Sequence, residues 1–276
     1  MRIDSHHHFW RLARGGYDWL TPDLGAIVRD FEPADLAPLL ASNGISATIV
    51  VQASASEAET GFLLDIARHT DFVAGVVGWV DLAASDAPER IAVLAANGYL
   101  KGLRPMLQDI ADDDFILSDA VAPALAAMMD HGLRLDALVQ PRHLPILVTL
   151  RQRWPQLPMV IDHAAKPDLS RAGHSAWARD LAAVATDGVT CCKLSGLVTE
   201  AGPGWSLDTL APFVETLLDL FGPQRLMWGS DWPVLTLAAD YAQWLAACET
   251  LLERQSEAVR AAIFGDTARR FYGLEV

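Results

Sequence analysis

PADLAPLLASNGISATIVVQ, residues 33–52, is a helix handing over to a strand. In its first half apolar residues recur at spacings of three and four, the period of a helix with one apolar face. Asn43-Gly44 closes that run with residue types that accept the positive φ of a helix end. ISATIVVQ, 45–52, is then β-branched and almost continuously apolar, as a strand covered on both faces must be.

The same handover recurs along the chain. Strand candidates are MRIDSHHH at 1–8, ISATIVVQ at 45–52, FVAGVVGWV at 72–80, YLKGLR at 99–104, LRLDALV at 133–139, PMVIDHA at 158–164, VTCCKLS at 189–195 and RLMWGSD at 225–231. Ala- and Leu-rich helical runs separate them, and Asn97-Gly98 and His131-Gly132 repeat the Asn43-Gly44 ending. Eight strands, each followed by a helix, predict an α/β fold of the (β/α)8 TIM-barrel type, one domain over 1–276. A chain of 276 residues, 51% hydrophobic and 20% charged, suits the core of such a barrel. Two segments exceed the minimal repeat. Residues 9–32 make a long connection after the first strand, aromatic at Phe9, Trp10, Tyr17 and Trp19 and broken by Gly15-Gly16 and Pro22. That composition predicts a folded cover over the barrel mouth. The tail after 254 is expected as extra helix on the barrel's outer wall.

A formal net charge of −14 argues against phosphate backbones and anionic membrane surfaces as partners. No apolar run approaches the ~20 residues of a spanning helix, and MRIDSHHHFW has no apolar stretch of signal-peptide length. The expected location is cytoplasmic, and a homo-oligomer is compatible with the composition. Three cysteines make no disulfide framework. Cys191 and Cys192 are adjacent on a strand, point to opposite faces and serve packing.

The chemistry gathers at strand ends. Alternation sends His6 and His8 to one face of the first strand and His7 to the other. Two imidazoles at that spacing can share one ion or one substrate oxygen. His163 ends the sixth strand and Asp231 the eighth, which neighbours the first in a closed barrel. Ionisable groups in such places are rarely mere packing. Only Lys101, Lys166 and Lys193 provide lysine, all in or just after strands, and Lys193 is expected to face inward. Arg104 ends the fourth strand as a fork for a substrate oxygen. Gln52, Trp79 and Asp81 end the second and third strands, where they bind sugar hydroxyls or only finish the strands. Trp10 and Trp232 flank the histidine and aspartate motifs and offer aromatic faces to a sugar.

IDSHHHFW, GLRP, DHAAKP, KLSG and WGSDWP, in this order, resemble the amidohydrolase superfamily. Within it they resemble a sugar-lactonase branch that takes L-fuconolactone and L-rhamnonolactone, with a related 2-pyrone-4,6-dicarboxylate lactonase. The resemblance covers essentially the whole chain. It implies a hydrolase opening a small aldonolactone, L-fuconolactone foremost, by attack of water with Asp231 as general base and His6, His8 and His163 stabilising the oxyanion. Arg104, Lys193, Lys166, Gln52, Trp10, Trp79 and Trp232 are the expected substrate-binding residues. Two-metal members carry a lysine ending strand four and a histidine ending strand five; here Arg104 ends the fourth and the fifth ends DALVQ. The expectation is therefore no required cofactor, or one divalent ion, zinc foremost, on His6, His8, His163 and Asp231. Ser195 and Ser230 lack a nucleophile-elbow setting. A mononuclear metal-dependent decarboxylase or hydratase and a non-catalytic sugar-acid-binding barrel stand as alternatives.

Overall fold

The computed structural model describes residues 1–276, apart from the side chain of Arg171. Eight parallel strands follow one another in chain order around a barrel. They are β1 (Ile3–His7), β2 (Ala47–Val51), β3 (Val73–Gly78), β4 (Leu100–Leu103), β5 (Arg134–Ala137), β6 (Met159–Ile161), β7 (Cys191–Leu194) and β8 (Leu226–Trp228). The outer layer comprises α1 (Pro33–Asn43), α2 (Glu57–Arg68), α3 (Ala87–Ala95), α4 (Ala122–Asp130), α5 (Leu144–Arg153) and α6 (Arg171–Ala185), then α7 (Leu197–Ala201), α8 (Leu207–Phe221) and α9 (Tyr241–Leu251). Gly44 is left-handed after α1 and Gly132 has φ +65 after α4, as those ends required. No helix among the described residues is long and apolar enough to cross a membrane.

The ring closes just beyond β8. Asp231 N–H donates to the His6 carbonyl (2.8 Å) and His8 N–H to the Trp232 carbonyl (2.7 Å). Asp4 clamps this seam from outside, its carboxylate accepting the backbone N–H of His6 and of Ser230 and the Tyr241 hydroxyl of α9.

β1 does not alternate cleanly. Ile3 packs inside the barrel with Ala47, Ile49, Val77 and Met227, so strict alternation would bring His7 inward as well. Asp4 pairs with Thr48 but His7 with Val50, three steps on β1 against two on β2. This bulge reverses the phase. It lets an apolar base and a histidine-bearing mouth face the same interior.

The tail differs from its expected place. α10 (Glu257–Ala261), a π-turn (Ala262–Asp266) and α11 (Thr267–Tyr272) close the barrel's base and not its outer wall. Ala268, Tyr272 and Leu274 join the inner apolar cluster, where they cover side chains that an open base would leave wet.

Candidate active site

Geometry at the mouth follows from how each strand ends. His6 and His8 bring their Nε2 atoms within 3.3 Å of each other. His7 points the other way, bonded to Thr48 Oγ1 (2.9 Å) and packed on Phe9. Beyond β6, Asp162 keeps the inward phase, and alternation alone would turn His163 out. Instead His163, Ala164, Ala165 and Lys166 are all left-handed, with φ between 50 and 60. The turn brings His163 and Lys166 back over the mouth. Such a run costs roughly 1–2 kcal/mol per residue. It is held by Lys166 N–H to the His163 carbonyl (2.8 Å) and by Trp177 Nε1–H to the Ala164 carbonyl (2.7 Å). Gly196 in KLSG leaves room for the His163 ring, because a Cβ there would stand 2.8 Å from it. Gly229 in WGSD likewise makes way for His6.

Asp231, itself left-handed at φ 59, lies at the centre. Its Oδ1 is 3.3 Å from His8 Nε2 and 3.8 Å from both His6 Nε2 and His163 Nε2. Burial by itself would raise this carboxyl, but His163, His8 and Lys166 reverse that and hold it below the ordinary carboxylate range. Burial pushes His163 down to about 4, against the pull of Asp231 and Asp162. Burial and the Lys193 charge push His6 well below its usual value. The carboxylate therefore carries the charge and these two rings are neutral. His8 Nδ1 donates to the Val51 carbonyl (2.8 Å), which turns its Nε2 toward Asp231 Oδ1.

A cavity of about 280 Å³ opens over these groups, lined on its polar side by His8, Arg104, Gln108, Asp109, His163, Lys166 and Asp231. Trp19, Leu24, Met106, Leu138, Val234 and Leu237 form the apolar side. Trp19 comes from the 9–32 connection, whose ends pair between Trp10 and Phe31. Its Nε1 donates to the Ala53 carbonyl (2.7 Å), and Trp10 stands behind it, edge to face at 5.4 Å. A larger groove of about 1140 Å³ at the base, with Arg68, Tyr99, Lys101 and Glu275 on its walls, holds none of the converging groups.

The structure thus brings His6, His8, His163, Asp231, Arg104 and Lys166 together. Five residues expected to touch substrate do not line the cavity. Trp10 is sealed under Trp19. Trp232 packs on Phe9 and Phe31. The backbone of Trp79 is pinned to Thr60 beside β3. Gln52 exchanges hydrogen bonds with Arg104 across the rim, its amide donating to the Arg104 carbonyl and the guanidinium to the Gln52 carbonyl. Lys193 faces inward as expected, but at a lower level. It lies 2.5 Å from Asp136 Oδ2, 3.0 Å from Asp162 Oδ1 and 3.1 Å from His6 Nδ1, with no solvent exposure.

The donor set fits one divalent ion. Atoms of His6, His163 and Asp231 lie within 4.8 Å of one another, with His8 beside them, and imidazole with carboxylate suits zinc. The remote nitrogens of these rings already have partners, His8 on Val51 and His163 on Ser195 Oγ (2.9 Å), as metal-ligating histidines do. The remote Nδ1 of His6 faces Lys193 Nζ at 3.1 Å and Asp162 Oδ1 at 3.4 Å.

A family model for amidohydrolases matches residues 3–274. The chain belongs to the amidohydrolase family. Among its relatives, an L-fucono-1,5-lactonase of Burkholderia ambifaria is 50% identical over 99% of this chain and 96% of that protein. A second L-fucono-1,5-lactonase, from Burkholderia multivorans, is 40% identical over 99% of this chain and 96% of its own. The crystal structure of a Burkholderia multivorans amidohydrolase with bound zinc superposes with a TM-score of 0.94 at 40% identity, covering 99% of both chains.

Sequence reasoning overlooked three carboxylates of this amidohydrolase. Asp4, Asp136 and Asp162 are wholly buried. Asp136 and Asp162 carried a signal, an acid inside a largely apolar strand run, which must find partners in the interior. Burial raises Asp4 and Asp136 to about 6. It would raise Asp162 too, but Lys193, with His6 and Arg104, holds that carboxyl well below its usual range.

Proposed function

We propose that this amidohydrolase opens a small sugar lactone to its sugar acid, with L-fucono-1,5-lactone as the first substrate to test. The observation that carries the reading is the Asp231 carboxylate 3.3 to 3.8 Å from three imidazole nitrogens beneath a sugar-sized cavity. Full-length similarity to two L-fucono-1,5-lactonases supports the substrate class.

In this reading the lactone ring lies against Trp19 and Leu24 with its carbonyl toward the polar wall. Asp231 takes a proton from the attacking water. The oxyanion that forms meets His6, His163 and the cations Arg104 and Lys166. Asp231 then returns its proton to the departing ring oxygen. A divalent ion held by His6, His8, His163 and Asp231 would supply Lewis-acid polarisation of the carbonyl. In this reading no side chain forms a covalent bond with substrate, since Ser195 and Ser230 are wholly buried and neither lines the cavity.

The test is a panel of aldonolactones assayed by acid release with a pH indicator, before and after chelator treatment. Hydrolysis of L-fucono-1,5-lactone above the other sugars is expected. A panel that stays inert with and without added zinc overturns the reading.

A further inference from the structure

The polar wall of the cavity divides in two. Arg104 and Lys166 offer only hydrogen-bond donors, whereas Gln108 Oε1 and the Asp109 carboxylate are acceptors. The acceptor half belongs to a short 3-10 turn, Leu107–Asp109, in the connection after β4. Leu107 anchors the turn in the core. Gln108 N–H donates to the Leu138 carbonyl just beyond β5 (3.1 Å), and Arg142 donates to the Gln108 carbonyl (3.0 Å). In a ring of eight strands in chain order, β4 and β5 lie opposite β8 and β1. The turn is therefore across the mouth from Asp231, His6 and His8.

Gln108 Oε1 is buried and has no hydrogen-bond partner. Nε2 of the same amide stands 3.4 Å from Asp109 Oδ2, and turning the amide over would set oxygen against carboxylate. A side chain that lines the cavity thus keeps an acceptor unmet, a cost that a ligand hydroxyl would relieve. Arg142, which supports the turn, directs its guanidinium to Asp113 and the Gln108 carbonyl and not to Asp109. On the apolar wall, Trp19, Leu24, Val234 and Leu237 have no side-chain acceptor, and the Trp19 indole N–H is taken by the Ala53 carbonyl. We infer that Gln108 and Asp109 select the substrate by accepting hydrogen bonds from two neighbouring hydroxyls on the lactone edge away from its carbonyl. The inference rests on the lactonase reading for where the carbonyl lies. A carbonyl oxygen only accepts, so it belongs with Arg104 and Lys166, while hydroxyls can donate to the opposite ledge. A lactone with a carboxylate at that edge would set like charge against Asp109 and is rejected.

L-Fucono-1,5-lactone and δ-hexanolactone share their ring and methyl group and differ only in the ring hydroxyls. The ratio of kcat/KM for the first to that for the second therefore reads the hydroxyl contacts. In Gln108→Leu and in Asp109→Asn this ratio should fall roughly twofold to tenfold, the worth of one hydrogen bond, with most of the loss in KM. The turn is held through its backbone and Leu107, so both variants keep its support. Leu24→Ala alters the apolar wall that both lactones share and should leave the ratio near its wild-type value. If the wild type hydrolyses neither lactone, the lactonase reading fails by itself, and the ledge is read by calorimetry with the two ring-opened acids, L-fuconate and 5-hydroxyhexanoate. L-Fuconate should bind more tightly, and Gln108→Leu should remove most of the difference. A kinetic ratio unchanged in both variants, or one that falls as far in Leu24→Ala, overturns the proposal. Where no lactone is turned over, two acids that bind alike, or neither binding, overturn it equally.

Discussion

A carboxylate can stay charged in a buried place when ring nitrogens and a lysine face it closely enough to offset the loss of water. Asp231 shows this: burial pushes its proton affinity up, and His163, His8 and Lys166 pull it down further than burial raises it. The group that results is ionised, with its proton site free, and sits where a proton must be accepted. Asp231→Asn keeps the shape and removes that capacity. The expected outcome is a properly folded protein whose kcat is lower by ~10² or more, with substrate affinity changed far less. Steady-state kinetics beside a circular dichroism spectrum check it, and near-native turnover would take Asp231 out of the chemistry. Asp231 and His163 could be found by reading residues alone, because strand-end ionisable groups are rarely structural. Asp136 and Asp162 needed the fold, since what they do depends on Lys193 arriving from another strand.

Among the elements, the turn after β6 shows what periodicity reveals and what it misses. All eight strands were legible, because a short β-branched apolar run between two amphipathic helices can be buried on both faces only as a strand of a covered sheet. The facing of their ends was not. Alternation turns His163 outward, and only four consecutive left-handed residues bring it in. Alternation likewise misphases β1, where the bulge between Asp4 and His7 decides the matter. Neither device leaves a glycine in the strained run itself, so composition gives no warning. The warning is one strand away, at Gly196. In Gly196→Ala the new methyl meets the His163 ring, and φ +70 is unfavourable by roughly 1–2 kcal/mol. A lower Tm is expected together with a kcat loss larger than the stability change accounts for, since the displaced ring is one of those facing Asp231. Thermal denaturation and kinetics on the same preparation separate the two, and a variant that is destabilised yet fully active would show that His163 need not be held there.

For the molecule as a whole, buried neutral imidazoles set the response to acid. Burial lowers His7 to about 3 and His163 to about 4, from 6.5 in an open chain. Between those values the unfolded chain binds protons that the folded one refuses. Their contribution is complete above pH 6.5 and is lost as the pH falls below it. At ~1.4 kcal/mol per unit, His7 alone accounts for on the order of 5 kcal/mol by the acid end. Asp4 and Asp136, raised to about 6, act with the opposite sign, since folding favours their protonated form. A single variant isolates one contribution. His7→Gln keeps an amide near Thr48 and cannot become charged, so its stability should decline less between about pH 7 and pH 4 than that of the wild type. Urea titrations at a series of pH values measure this, and parallel declines would mean His7 is not the source.

The seam of the ring passes through the residues that do the work. Asp231 and His6 share one of its hydrogen bonds, and His8 with Trp232 another. Whatever lets the first and last thirds of the chain part, even briefly, dismantles the mouth at the same moment. Catalysis and topological closure are then lost in one event, and activity becomes a faithful report on whether the ring is shut. Amide protons at these two positions should therefore be among the informative ones in hydrogen exchange. A circular permutant that joined the present termini and cut the chain elsewhere would move the break away from the chemistry, leaving the site inside an unbroken stretch of staves.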